Sequence, residues 1–488
     1  MKAKLQKNFT IENIEMAQFV VDKSIAFHGG RSAISAIDSI KVDYDSNTTY
    51  QTQGYGYKGI ESIRQQPGNT LHFISFKEEE LWVDHVHHYM ESYFSTKTHY
   101  KGGNKIKYDD GNATKSVAEA ANFDDEVESM LLFNPVLILK SMMAQKNTLR
   151  YLGTAQFEGI VHELVNFTLP SGTTLTVYIN KTNYQFGKIE STTHRKTNIA
   201  LDEFIYGDYK NSGGFKIPNF IENKYTGGSY PGSQYYRIAS INFNAKKSEV
   251  IKLPTNYKEK AKSTTYDGKT RNQQLFDGVY WVTRSGGSSI FVEFSDHIMV
   301  IDGLRGIEKR ETEIRKTIPT KPIKYVVTSH QHHDHIGSMP YLAKLGTTIV
   351  TAEEYKYLIE DLIANENSDK KAKTKFDVVT DKTVYSDDKQ KVEVYKIDNL
   401  KHAKTMLLTY FPNEKLVYMP DHYYEPLLHY VAIKALLDEI ERIGIIPEGF
   451  ITAHGNQVIS MATLQQLIKK TPRVKSLRRK PHSSVIAK

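Results

Sequence analysis

Residues Ser329 to Ser338 read Ser-His-Gln-His-His-Asp-His-Ile-Gly-Ser and place four histidines and one carboxylate in a single short stretch. Imidazole and carboxylate bind borderline divalent cations such as zinc without help from a thiolate, and the chain contains no cysteine. A metal site here is therefore built from nitrogen and oxygen alone. The stretch follows the apolar run Ile323 to Thr328, which reads as a strand. A strand that ends in such a loop lets His330 and His332 close on one ion, while Asp334 and His335 turn toward a second position. A second cluster, His85, His87 and His88, reads instead as a solvated turn or an adventitious chelator.

Three further ligand-type residues lie downstream, each where an apolar run hands over to a loop. They are His402 after Val392 to Ile397, Asp421 after Leu416 to Met419, and His454 after Phe450 to Ala453. Four strand ends that offer ligands at one edge of a sheet point to a common centre.

The pattern His330-x-His332-x-Asp334-His335, followed in order by His402, Asp421 and His454, resembles the metallo-β-lactamase superfamily of binuclear metal hydrolases. The resemblance implies an αβ/βα sandwich with the metals at one edge of two sheets. It implies that His330, His332 and His402 bind one ion, that Asp334, His335 and His454 bind another, and that Asp421 bridges them. The cofactor is then a pair of divalent ions, with zinc expected and iron or manganese compatible with the same donors. The chain departs from the family pattern in having Gly337-Ser338 for Gly-Gly and Pro420 for the glycine before the bridge. His422 directly follows Asp421, so two side chains compete for the inward position.

Two adjacent divalent ions lower the pKa of the water between them and polarise an incoming carbonyl or phosphoryl oxygen, so the protein need supply no nucleophile. Asp334, Tyr423 and Asn456 are the catalytic candidates. Tyr423, Tyr424 and Asn456 flank ligands, where they can act as oxyanion donors or substrate contacts. The reading is a metal-dependent hydrolase of an ester, lactone, amide or related bond in a small molecule. Its alternative is a ligand-binding or carrier protein with a structural or sensory metal centre.

The elements that must position these residues begin near Phe276. Gly278 to Trp281, Ile290 to Phe294 and His297 to Ile301 read as consecutive strands, the last closed by Asp302-Gly303. Asp302 is either a plain turn residue or, as the resemblance suggests, a carboxylate behind the metal loop that orients a ligand. Helices are expected over Glu308 to Thr317, Met339 to Leu345, Glu353 to Ala364 and Glu425 to Ile443. The last carries Leu428, Ala432, Leu436 and Ile440 on one stripe, with His429 packed beside it.

Residues 1–245 read as a β-rich domain. Leu175, Val177 and Ile179 alternate with polar neighbours, and similar runs recur at Ile40 to Tyr44, Leu71 to Phe76, Phe204 to Tyr209 and Tyr235 to Phe243. Glycine pairs at 102–103, 213–214 and 227–228 read as turns. The segment Val127 to Met143 has helical spacing interrupted by Pro135. The stretch Phe167 to Tyr225, with Gly214-Phe215-Lys216-Ile217-Pro218, resembles bacterial lipoprotein-carrier domains, which implies a concave sheet able to hold an apolar chain or cover the active site. Residues 246–272, rich in Lys, Ser, Thr and Asn, read as an exposed linker, and 273–488 as the metal hydrolase domain. The fold class is α+β, and the first half is expected to take no part in the chemistry.

With 488 residues, 39% hydrophobic and 25% charged, the chain has the composition of a globular protein of two or three domains. The formal charge of +8 is modest over this length, and the basic run from Lys469 to Lys480 reads as a solvated tail. No nucleic-acid partner is expected. No run reaches the ~18 apolar residues of a membrane span, and Met1 to Val20 has no signal-peptide core. The location expected is cytoplasmic, or periplasmic or secreted if a signal peptide was trimmed.

The register of the loop yields a test. His333 occupies the position that the family leaves variable, so His333→Ala should keep both metals and most of the rate, while His332→Ala should abolish activity. Metal content and turnover of the two variants, with His333→Ala the more damaging, would show the register to be wrong.

Overall fold

The computed structural model describes residues 11–51, 53–89, 92–119, 122–194, 199–225, 232–260, 268–366, 374–422, 430–455 and 457–470. The chain forms two compact units. One comprises Met1–Gln51, Ile63–Tyr89 and Tyr93–Ala261, and the other comprises Thr52–Ser62, Met90–Ser92 and Lys262–Lys488.

The first unit is organised by a sheet of 14 strands. The alternating runs form its ladders: Ser39–Gln51 pairs antiparallel with Ile63–Ser75 on one side and with Gly232–Phe243 on the other. Within Thr174–Asn180 the side chains of Leu175, Val177 and Ile179 are fully buried, as period-2 patterning requires. Each such burial contributes about 1.5–3 kcal/mol. Gly102 and Gly103, and Gly213 and Gly214, turn with positive φ as expected. The pair 227–228 lies outside the described residues. Pro135 splits its segment into helices Phe123–Leu131 and Pro135–Ala144, and the Asn134 side chain caps the second by accepting from Val136 N at 3.0 Å. These helices and Ile11–His28 bury their apolar faces in the core of this unit.

Two expectations need correction here. His85, His87 and His88 lie on the strand Glu80–Tyr89 rather than in a turn, with His85 Nδ1 2.7 Å from Thr70 Oγ1. Residues 246–260 are not a free linker: Lys258–Glu259 pairs with Thr114–Ala118, Tyr257 donates to Asp110 at 2.7 Å, and Val250 is buried. Most of these residues are exposed, as their polar composition implies, while Val250, Tyr257 and the Lys258–Glu259 pairing tie the segment to the first unit.

The second unit has two sheets. The first runs Thr270–Phe276, Val279–Arg284, Gly287–Glu293, Ile298–Ile301, Ile323–Val327, Thr348–Thr351 and Lys375–Val378, antiparallel up to Ile298–Ile301 and parallel thereafter. The second runs Lys382–Ser386, Lys391–Asp398, Thr405–Phe411, Leu416–Tyr418, Gly449–Ile451 and Ile459–Ser460. In the second sheet, Val392 and Val394 join the core shared with the first sheet. Tyr395 and Ile397 instead pack with the helices Tyr430–Ile443 and Met461–Lys470. Helices Ile307–Ile314, Met339–Lys344 and Glu353–Glu366 contribute to the shared core. The result is two sheets with helices on their outer faces, the layered arrangement that a chain alternating strands and helices requires. Among the described residues no helix is long and apolar enough to cross a membrane.

Two buried histidines give the first unit an acid-sensitive term. Burial pushes His28 and His72 down to about 4, in the first case against the carbonyl of Lys216 and in the second with help from His85. Both stay neutral in the folded protein but bind protons in the unfolded chain below about 6.5. Their stabilising contribution is complete above that pH and is lost as pH falls toward 4, by up to ~3 kcal/mol each. The melting temperature of this unit should drop over that window, and His72→Leu should flatten the drop measured by calorimetry.

Candidate metal centre

The ligand-type residues sit where strands of the second unit end. Ile323–Val327 leads into His330 and His332, and a short helix, His333–Ile336, carries Asp334 and His335. His402 lies in the turn between Lys391–Asp398 and Thr405–Phe411, Asp421 follows Leu416–Tyr418, and His454 follows Gly449–Ile451. The backbone ties the His330 loop to the strand that follows His402, because Leu407 N donates to Ser329 O at 2.7 Å.

All seven residues converge. His330, His332, His402 and Asp421 form one group and Asp334, His335, Asp421 and His454 another, with the ligand atoms of each group within 4.8 Å of one another. Asp421 belongs to both. In the first group His330 Nε2 is 2.8 Å from His332 Nδ1, and His402 Nε2 is 3.0 and 2.9 Å from these two atoms. In the second, His335 Nε2 is 3.2 Å from Asp421 Oδ2 and 3.4 Å from Asp334 Oδ2, and His454 Nε2 is 3.5 Å from Asp334 Oδ2. His333 belongs to neither group.

The outward nitrogens explain why the inward ones can bind a cation. His332 Nε2 lies 3.0 Å from the Gly54 carbonyl, His335 Nδ1 2.7 Å from Asp302 Oδ2, His454 Nδ1 3.0 Å from the Gly286 carbonyl, and His330 Nδ1 3.0 Å from Ser329 Oγ. An imidazole that donates its one N–H outward presents a lone pair inward. His330 Nε2, His332 Nδ1 and His402 Nε2, within about 3 Å of each other, cannot all be satisfied by hydrogen bonds among themselves, and they suit a divalent cation. The donor set fits two such ions.

Asp302 anchors the assembly from behind. Its Oδ2 accepts from His335, from Tyr418 Oη at 3.0 Å and from Ser329 Oγ at 3.2 Å, and the residue is fully buried with φ 66°. A left-handed conformation on a non-glycine residue costs on the order of 1–3 kcal/mol and persists where the surroundings impose it. Of the two readings of Asp302, its contacts with His335, Ser329 and Tyr418 favour the orienting carboxylate over the plain turn residue. Gly303 packs closely, since a Cβ there would meet Met339, Leu342 and Val326 side-chain atoms within 3.2 Å.

The choice between Asp421 and His422 is also settled. His422 is buried beside Met419, Ile433, Leu436 and Phe450 and is absent from both groups. Tyr423, Tyr424, His429 and Asn456 lie outside the described residues.

Sequence reasoning missed Gln53, Gly54, Gln331, Ser329 and Tyr418. Gln53 Nε2 donates to Asp334 Oδ1 at 3.1 Å, and Gln331 Nε2 reaches the carbonyls of Gly54, Tyr55 and Gly56 at 3.0, 3.3 and 3.4 Å. Among the described residues neither ligand group draws on the first half, but residues 53–56, which belong to the second unit, supply hydrogen-bond partners behind the ligands. A visible signal was the run Gly54-Tyr55-Gly56-Tyr57-Lys58-Gly59, whose glycines permit close backbone approach.

The electrostatics differ between the groups. Burial, and then the imidazoles of His335, His332 and His402, drive His330 well below the ordinary imidazole range, against the opposing pull of Asp421. Burial would lower His335 as well, but Asp302, Asp421 and Asp334 outweigh it and hold it well above that range. Burial would raise Asp421, yet His335, His454 and His402 keep it well below the usual carboxylate range.

Residues 282–421 match the model of the metallo-beta-lactamase superfamily. No curated protein matches the chain. Among solved structures, a metallo-beta-lactamase from Pontibacter korlensis is 19% identical, covering 41% of this chain and 98% of that one, with a TM-score of 0.31. The mono-zinc form of the metallo-beta-lactamase FIM-1 from Pseudomonas aeruginosa is 15% identical over 42% of this chain and 95% of that one, with a TM-score of 0.32. The Flv1 flavodiiron core from Synechocystis is 11% identical over 41% and 61%, also with a TM-score of 0.32. The family match does not extend to the large first sheet, and none of these findings supports the lipoprotein-carrier resemblance.

The contrast between His330 and His335 predicts unequal competition by protons. An ion entering the Asp334 group must displace a proton that His335 still holds above the ordinary imidazole range, whereas His330 is already deprotonated below it. Apparent affinity in the Asp334 group should keep rising with pH through and beyond neutrality, while that of the His330 group levels off at lower pH. Competition titrations at a series of pH values would show two separate profiles. A single shared profile, or the reverse order, would contradict this account.

Proposed function

We propose that the metallo-β-lactamase superfamily domain of this chain is a two-metal hydrolase acting on an ester, lactone, amide or related bond of a small molecule. The observation that carries this reading is the sharing of Asp421 by two groups of inward-facing ligand atoms. His330, His332 and His402 would hold one divalent ion, Asp334, His335 and His454 the other, and Asp421 both. The nitrogen and oxygen donors suit zinc, and iron or manganese are compatible with them. When bound, such a pair supplies activated water at neutral pH and polarises a carbonyl or phosphoryl oxygen.

The chain's own residues orient and hold. Asp302 fixes the His335 ring so that Nε2 faces inward, and Tyr418 and Ser329 fix Asp302 in turn. Burial of His330, His332, His335, His402 and Asp421 keeps bulk water from competing for the ligand atoms. Tyr423 and Asn456 are proposed as donors to the developing oxyanion, next to Asp421 and His454 in sequence.

Protein purified without chelator should contain two ions per chain by elemental analysis and should turn over at least one member of a panel of ester, lactone, amide, thioester and phosphodiester reporters. Asp421→Ala should lose the second ion first and reduce turnover by at least two orders of magnitude. One ion or none in the wild-type chain would remove the two-metal reading.

A further inference from the structure

Residues 53–62 stand more than two hundred residues ahead of the metal loop in sequence, yet they touch two of the loops that carry the first group of ligands. Toward the His330–His332 loop, Gln331 Nε2 reaches three successive carbonyls, and the Gly54 carbonyl accepts from His332 Nε2 at 3.0 Å. Toward the His402 loop, Lys404 N donates to the Tyr55 carbonyl at 2.8 Å and Lys404 Nζ lies 3.4 Å from Glu61. Tyr357 Oη donates to the Tyr57 carbonyl at 2.8 Å and ties the segment to the helix Glu353–Glu366. Gly54 and Gly56 are buried, and a Cβ on Gly56 would lie 2.7 Å from Glu61 Cβ within the same segment, so glycine there lets the segment fold back on itself.

Two of these contacts bear directly on ligand atoms. His332 has only one N–H in its neutral form. Given to the Gly54 carbonyl from Nε2, it leaves the Nδ1 lone pair facing His330 and His402. At Asp334, the Gln53 amide occupies Oδ1, and Oδ2 is the oxygen that faces His335 and His454. One segment thus selects the tautomer of a ligand in the first group and the free oxygen of a ligand in the second.

We propose that segment 53–62 is a built part of the metal centre, with Gln53 the positioning residue for Asp334 and the Gly54 carbonyl, gripped by Gln331, the positioning group for His332. This rests on the two-metal reading above. It means that the catalytic domain is incomplete without a segment carried between the strands Ser39–Gln51 and Ile63–Ser75 of the large sheet.

The test uses the full-length chain with Gln53→Met and Gln331→Met, each close in length to the native side chain but without its amide donor. Zinc affinity is read by chelator competition, the cobalt(II)-substituted spectrum reports which ligand group has changed, and the melting temperature of the metal-free protein reports the fold. Gln53→Met should weaken one ion roughly tenfold or more, with the spectral loss seen in Asp334→Asn. Gln331→Met should weaken the other, with the loss seen in His332→Ala. Metal-free melting temperatures should stay near the wild-type value. A wild-type chain that binds no ion overturns the two-metal reading and this proposal with it. A wild-type chain with two ions, and a Gln53→Met variant that keeps both at wild-type affinity, overturns the segment's role alone. A drop in metal-free melting temperature with equal loss of both ions would make the segment merely structural and would equally overturn it.

Discussion

Five imidazoles and the carboxylates of Asp302, Asp334 and Asp421 share a space a few ångströms across, most of them out of contact with water. Removing such groups from solvent is costly unless they are paired and hydrogen-bonded. The second unit meets that demand from two directions. Outward atoms are tied to carbonyls, a hydroxyl and the Asp302 carboxylate, and inward atoms are left to one another and to the ions they are shaped for. The architecture around them serves chiefly to keep those two sets of atoms apart.

The layered sheets make this possible because parallel and antiparallel strands bring several loop-bearing ends to one edge. The strands behind those ends are among the most completely buried segments, including Ile298–Ile301 and Thr405–Phe411. A strand packed on both faces cannot slide by a residue without refitting every side chain against its close-packed neighbours. The residues that follow Ile323–Val327, Leu416–Tyr418 and Gly449–Ile451, namely Thr328, Met419 and Thr452, are therefore delivered to set positions. Asp302 shows the cost of that precision, since its backbone is held in a left-handed conformation by the hydrogen bonds its side chain makes.

The large first sheet has no counterpart among the family matches, and its core is separate from that of the metal-binding unit. Its chain nonetheless contributes residues 53–62 to the second unit. The two halves are thus covalently interleaved, and a domain boundary drawn between residues 245 and 273 divides the sequence more cleanly than it divides the packing.

The ligand types, their order and their places at strand ends were legible in the sequence alone, because an apolar run followed by a polar ligand is a local pattern. His330, His332, Asp334, His335, His402, Asp421 and His454 could each be named from such a pattern. Tertiary structure decided what no local pattern carries. That Asp421 and not His422 turns inward depends on the apolar space that Ile433 and Leu436 provide for the histidine. That His85 and its neighbours lie in a ladder depends on the strands beside them. The contact between Gln53 and Asp334 spans 281 positions. No periodicity or propensity in either segment encodes it, because the geometry that joins them is created only when the strands flanking each segment have found their own partners.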